Sequence, residues 1–188
     1  MIRLCPTSAR LYKIFDSVKT GSFLFPLLLG RDSRTKIERN VSMNYREGKM
    51  NLMDVPQGWW IAHCISADFA LGAGVAKQID EVFNMRSMLN SLWGPNSPMA
   101  GQWKAPCCLP CGNVFNLVTK ERYWHKPTLD TLREALEEMA HYAEKMSVKK
   151  IAMPKIGCGL DKLNWDDVSA MIKNIFQDTD IEIVVCYL

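Results

Sequence analysis

From Met43 onward, apolar residues fall into short runs and helical stripes that alternate along the chain. Residues 43–47 read as a first edge strand. Trp59-Trp60-Ile61-Ala62-His63-Cys64-Ile65 is a nearly continuous apolar run of strand length, the pattern of a strand covered on both faces. Leu71-Gly72-Ala73-Gly74-Val75-Ala76 follows as a small-residue loop. It opens a helix through about Met88, with Val75, Ile79, Val82 and Phe83 at helical spacing. Gly94, Pro95, Pro98 and Gly101 make residues 93–101 a loop. Two strands, roughly 103–109 and 114–119, flank Gly112-Asn113, and the second ends on Lys120. Thr128 to Met146 is the clearest helix, carrying Leu129, Leu132, Leu136, Met139, Ala143 and Met146 on one face. A short strand, Lys149 to Met153, is stopped by Pro154, which removes a ladder donor. Val168, Met171, Ile172, Ile175 and Phe176 mark a last helix, and residues 181–188 a final β-rich run. Strands alternating with helices, with no internal repeat, predict an α/β fold whose sheet is covered on both faces.

With 188 residues and 48% hydrophobic content, the chain is long enough for one domain, which would bury about 70% of the surface its unfolded form exposes. Residues 1–42 differ in character. Arg3, Arg10, Lys13 and Lys19 precede the apolar run Ser22 to Leu29, and a basic, polar stretch (Arg31 to Asn40) follows. That outline is shared with secretory and organellar leaders, but Pro26 interrupts the apolar run and no clean small-residue cleavage site follows. The expectation is an N-terminal extension (1–42) ahead of a domain at 43–188, rather than a working leader. The formal charge of +3 is too small to argue for nucleic acid by itself. Seven unevenly spaced cysteines do not make a secreted disulfide framework and fit an intracellular, reducing compartment, cytoplasm or nucleus. No apolar run reaches the roughly 20 residues of a membrane helix, so no membrane partner is expected.

The chemistry concentrates in Met153 to Leu163, Met-Pro-Lys-Ile-Gly-Cys-Gly-Leu-Asp-Lys-Leu. Gly157 and Gly159 let backbone N–H groups approach a ligand. Asn164 can cap a helix beginning near Trp165, whose N-terminus carries positive partial charge. Strand, glycine turn and helix start together make a phosphate cradle; an ordinary β-to-α connection accounts for this stretch alone equally well. Asp161 would repel a phosphate and suits a base or a sugar-hydroxyl partner. Gly72 to Gly74 forms a second glycine loop after an apolar strand. In such sheets ligands bind beyond the carboxyl ends of the strands, and two loops facing one crevice suit a diphosphate. Neither a dinucleotide fingerprint nor a P-loop is present.

His63-Cys64-Ile65-Ser66, then Leu71 to Ala76, then Asn116-Leu117-Val118-Thr119-Lys120, then Pro154 through Asp161 stand in an order and spacing that resembles a known family. The chain is similar to macrodomains of the ADP-ribose glycohydrolase branch that uses a lysine and an aspartate. That branch includes O-acetyl-ADP-ribose deacetylases and antitoxins that remove ADP-ribose from DNA. The likeness covers about Met43 to Leu188 and extends to His125-Lys126-Pro127-Thr128 and to Asn164-Trp165 through Ile172. It implies a three-layer α/β/α macrodomain with a central mixed sheet, acting as a monomer on ADP-ribose or ADP-ribosylated protein without cofactor or metal.

The resemblance implies Lys120 as nucleophile and Asp161 as acid/base. Lys155, Ile156, Gly157, Cys158, Gly159 and Leu160 would wrap the diphosphate and distal ribose, opposite Gly72, Ala73, Gly74 and Val75. Ser66 and Leu52 would contact ligand, and Leu188 would close near the adenosine. The family's Gly-Asp-Leu on the first loop is Met50-Asn51-Leu52 here, so Asn51 would meet the adenine amine without charge. The commoner macrodomain motif, a glycine run followed by Val-Asp, is absent. The chemistry stands apart from the family. A lysine amine attacks the anomeric carbon of an ADP-ribosyl ester well if burial lowers its pKa, and a nearby carboxylate takes up and returns protons. A non-catalytic reader, and an antitoxin acting on ADP-ribosylated nucleic acid, stand as alternatives. Lys104, Lys120, Arg122 and Lys126 hint at a basic rim for the latter.

The remaining candidates are weaker. Cys108-Leu109-Pro110-Cys111 has C-x-x-C spacing beside Cys107, but no second pair completes a four-ligand zinc site, and no helix follows as in redox motifs. His63 reads as a hydrogen-bonded core histidine, and His125 and His141 as surface residues. Cys158 reads as packing under the phosphate loop. The tryptophans read mostly as core, with Trp124 open to a stacking role.

Overall fold

A computed structural model describes residues 43–188; the expectations for residues 1–42 lie outside the described residues. Six strands form one sheet: β1 (Asn44–Lys49), β2 (Trp60–Ser66), β3 (Cys107–Cys111), β4 (Val114–Lys120), β5 (Lys150–Pro154) and β6 (Glu182–Tyr187). Their order is β1-β6-β5-β2-β4-β3. Every neighbouring pair is parallel except β3 with β4, which form a hairpin across Gly112-Asn113. The sheet is therefore mixed, with one antiparallel edge strand. Five parallel strands bring their carboxyl ends to one side, where Met50, Ser66, Lys120, Lys155 and Tyr187 stand.

Among the described residues four α-helices accompany the sheet: α1 (Gly74–Phe83), α2 (Met85–Trp93), α3 (Leu129–Lys145) and α4 (Trp165–Phe176). Successive strand residues point to opposite faces of a sheet, and the core divides accordingly. Ala62, Phe115, Leu117, Met153 and Ile183 pack with Leu132, Leu136, Met139, Ile172 and Phe176 of α3 and α4. On the other face Asn116 meets Met85, and Ile79, Met85, Leu89 and Trp93 of α1 and α2 are buried. The three-layer expectation holds. No helix among the described residues is long and apolar enough to cross a membrane.

Local chemistry explains the element ends. Thr128 and Thr131 exchange side-chain-to-backbone hydrogen bonds at 3.2 and 3.0 Å, a capping box that starts α3. Asn164 caps α4 by accepting the Asp166 N–H at 2.8 Å.

Four local expectations change. The helix expected through Met88 is two helices, because Asn84 adopts a left-handed conformation with φ of 52°. The second helix runs on to Trp93, inside the expected loop. Val82, placed by periodicity on the buried stripe, is 60% exposed. The strand expected from Trp103 begins at Cys107, after a cis Ala105–Pro106 bond. Trp103 instead stacks on Phe69 and donates its indole N–H to the Trp93 carbonyl.

Candidate active site

Lys120 ends β4 and Asp161 ends the glycine loop after β5, and the two meet. Lys120 Nζ donates to Asp161 Oδ1 at 2.6 Å, with both side chains mostly shielded from solvent (14% and 13% exposed). A register shift between Ile65 and Ser66 pairs Ser66 with Lys120 at the end of β2, and the Ala67 N–H then donates to the Lys120 carbonyl at 2.8 Å. The ends of β2 and β4 thus leave the sheet together.

The two glycine loops also converge. Gly74, at φ +57°, lies where an added Cβ would stand 3.9 Å from Leu160 Cδ1. Gly157 stands at φ +71°, and a Cβ there would lie 2.8 Å from Leu163 Cδ1, so that side chain would have to shift. The left-handed conformation of Gly157 favours glycine. The loop is braced by the Leu163 N–H on the Gly157 carbonyl (2.9 Å) and by Cys158, whose thiol donates to the Ile156 carbonyl (3.3 Å). Burial raises the Cys158 thiol above its ordinary range despite the nearby Lys155 charge.

The two helix starts differ as anion sites. At α1, Ala73 offers no side-chain cap and the first turn carries no acidic residue, so the leading N–H groups keep their positive partial charge. At α4, Asn164 caps the first turn and Asp166 and Asp167 sit within it.

The remaining expected residues are placed as follows. Ile156 is 2% exposed and Leu52 6% exposed, so both are core rather than surface. Ser66 is buried and its hydroxyl donates to Asp68 at 2.5 Å. Asn51 is exposed and caps a short 3-10 turn (Leu52–Asp54), accepting the Met53 N–H at 3.1 Å. Gly72, Ala73 and Gly159 are exposed and Val75 half-buried. Lys155 is exposed, its ammonium 5.5 Å from the Trp165 ring centre, 5.1 Å from that of Tyr187 and 3.9 Å from Glu47 Oε2. Leu188 is 88% exposed.

Sequence reasoning gives three residues near the pair no part in catalysis, Lys126 entering only in a basic rim. Lys126 Nζ donates to the Leu160 carbonyl at 2.7 Å. Asp68 also accepts the Tyr123 N–H at 3.2 Å. Desolvation works to raise the Asp68 carboxyl, but the bonds from Ser66 and the Tyr123 and Ala70 N–H groups, with Arg122 nearby, hold it below the usual range. Cys64 lies among Asp161, Lys120 and the Gly157 N–H, and burial, helped by the Asp161 charge, pushes its thiol up to about 12. That is an inert, protonated thiol. Only a motif spanning distant segments signals such residues, since none follows a local pattern. Trp124 is exposed, with Tyr123 and His125 edge-on to its ring, so it stands outside the core.

The C-x-x-C pair lies within β3, where residues three apart face opposite sides of the sheet. Their sulfurs therefore diverge, and among the described residues no group of three or more His, Cys, Asp or Glu is placed to hold a metal.

The fold agrees with comparisons to known proteins. A family model described as Macro domain matches residues 107–172. ADP-ribose glycohydrolase OARD1 of Homo sapiens is 38% identical over 138 residues, covering 73% of this chain and 87% of that protein. The chain belongs to the macrodomain family. A second relative of this macrodomain, the DNA ADP-ribosyl glycohydrolase of Thermus aquaticus, is 27% identical over 64 residues, which are 34% of this chain and 18% of that one. The solved macrodomain of Thermus aquaticus DarG superposes with a TM-score of 0.64 at 21% identity, covering 77% of this chain and 97% of that chain. The latter likeness is one of fold.

Proposed function

We propose that this macrodomain binds ADP-ribose in the crevice between the 72–74 and 157–160 loops and hydrolyses an ADP-ribosyl ester. Lys120 serves as nucleophile and Asp161 as acid/base. The observation that carries the reading is the Lys120–Asp161 pair, shielded at the carboxyl ends of β4 and β5 and 2.6 Å apart. The activity named for the human relative supports the substrate class.

The steps follow from the pairing. Asp161 takes one proton from the Lys120 ammonium, leaving an amine. The amine attacks the anomeric carbon of the distal ribose, the bond to the acyl oxygen breaks, and the acid departs as a carboxylate. The departing carboxylate takes the proton held by Asp161. The nitrogen then gives one of its protons to the freed Asp161 carboxylate, leaving a glycosylamine. Asp161 returns that proton to the ring oxygen as the ring opens to the imine, and is again a base. Asp161 then helps water add to that carbon, the carbon–nitrogen bond breaks, and Lys120 is released with ADP-ribose. The balance is ester plus water to ADP-ribose plus acid. Backbone N–H groups at α1 and the glycine loop hold the diphosphate, so binding does not depend on the catalytic pair.

Lys120→Ala is expected to abolish hydrolysis of an ADP-ribosyl glutamate-ester peptide while calorimetry shows retained ADP-ribose binding. Asp161→Ala is expected to slow release of Lys120, so that borohydride traps an added ADP-ribose mass on that lysine. Full activity of Lys120→Ala would sink the mechanism and favour Asp161 with a bound water. Binding without turnover by the wild-type protein on ester, O-acetyl and DNA substrates would make it a reader. The nucleic-acid reading is favoured by one observation, the exposed Tyr123 and Trp124 rings near the lysine; turnover confined to the DNA substrate would establish it.

A further inference from the structure

We infer that Lys126 is a positioning residue, holding the acid/base in place during the part of the cycle when Lys120 is covalently occupied. This rests on the lysine mechanism proposed above. Two bridges join the segment after β4 to the end of the glycine loop. One is the Lys120–Asp161 ion pair; the other is Lys126 Nζ on the Leu160 carbonyl at 2.7 Å. That carbonyl belongs to the peptide unit whose nitrogen is Asp161's own, so fixing it fixes the Asp161 backbone to within a bond rotation.

The first bridge cannot last through turnover. When Lys120 nitrogen bonds the anomeric carbon, it gives up the proton and the charge that hold Asp161. The second bridge involves no reacting atom and persists. It is also firmly based at both ends. Lys126 precedes Pro127, a buried residue with a fixed φ, and the Thr128 capping box of α3. On the other side, Leu160 is 68% exposed, with its Cδ1 3.9 Å from where a side chain on Gly74 would begin, and the Lys162 N–H donates to the Gly159 carbonyl beside it at 3.3 Å. Lys126 itself is exposed, and a lysine serving only solubility would have no need of a backbone carbonyl 34 residues away. The carboxylate that must direct water onto the adduct thereby keeps its place after its ion-pair partner is consumed.

The test follows the adduct in the full chain. Lys126→Met keeps the apolar stem and removes the donor; Lys126→Arg keeps a donor. Each is mixed with an ADP-ribosyl glutamate-ester peptide under single turnover and quenched with borohydride, and the mass on Lys120 is followed over time. Lys126→Met is expected to form the adduct within about twofold of the wild-type rate and to lose it about tenfold more slowly or worse, as expected of a misplaced catalytic group. Its Kd for ADP-ribose should stay within about twofold of wild type, and Lys126→Arg should recover most of the decay rate. An adduct that decays at the wild-type rate in Lys126→Met overturns this proposal alone. So does a large rise in Kd with unchanged decay, which would make Lys126 a substrate contact. Absence of an adduct in every protein, Asp161→Ala included, overturns the lysine mechanism and this proposal with it.

Discussion

Asn51 already uses its side-chain oxygen, accepting the Met53 N–H at the start of the 3-10 turn. A neutral amide has one such oxygen, whose remaining lone pair alone can meet the amine of an adenine. A carboxylate has two. Asn51→Asp can keep one on the Met53 N–H, where a negative charge also suits a helix start, and offer the other to the base. A charge-assisted bond is stronger than a neutral one. ADP-ribose affinity should therefore rise by about 1 kcal/mol, roughly fivefold in Kd, with the melting temperature unchanged or higher. Calorimetry reads this directly, and weaker binding by the variant would place Asn51 away from the adenine.

At the scale of elements, β3 is the antiparallel edge, and edges leave unpaired N–H groups. Here Cys108, fully buried, donates its N–H to Glu138 Oε2 of α3 at 2.6 Å. Glu138 is half-buried, and that burial raises its carboxyl despite the bond it accepts. Glu138→Ala would strand a buried donor and should cost about 1–3 kcal/mol in urea unfolding. Glu138→Gln keeps an acceptor and should recover much of it; equal losses in the two variants would refute the pairing as the cause. No sequence pattern shows this brace, because it joins a strand to a helix 30 residues later. The central strands were legible because β2, β4 and β5 are apolar runs covered on both faces. The α3 helix was legible from its stripe and its Thr128 start. The break at Asn84 was not, since apolar spacing continues through it while one residue turns left-handed. The loops of the candidate site were legible as glycine motifs. That Leu160 would reach Gly74, and Lys126 the Leu160 carbonyl, depends on the parallel order of the sheet.

The whole molecule carries a pH dependence that follows from its two-faced core. His63 lies on the face of the sheet toward α2, paired in register with Asn116. Its Nε2 lies 2.8 Å from Asn116 Oδ1, while Asn116 donates through Nδ2 to the Leu109 carbonyl at 3.0 Å. That network assigns the proton to Nε2 and leaves a neutral ring whose Nδ1 is buried without a partner. Burial lowers the His63 pKa to about 4, against the opposing effect of its bond to Asn116. Between about pH 6.5 and 4 the unfolded chain binds a proton at this residue and the folded chain does not. The stability is thus fully present above pH 6.5 and lost as the pH falls toward 4, by about 3 kcal/mol in all. The raised Glu138 carboxyl works in the opposite sense within the acid range, so the measured quantity should be a difference between variants. His63→Gln places an amide where Nε2 stands and does not titrate. Its stability relative to wild type, from denaturant unfolding at pH 7 and pH 4, should rise by about 3 kcal/mol on acidification. A difference that does not change with pH would mean that His63 already takes up its proton in the folded state.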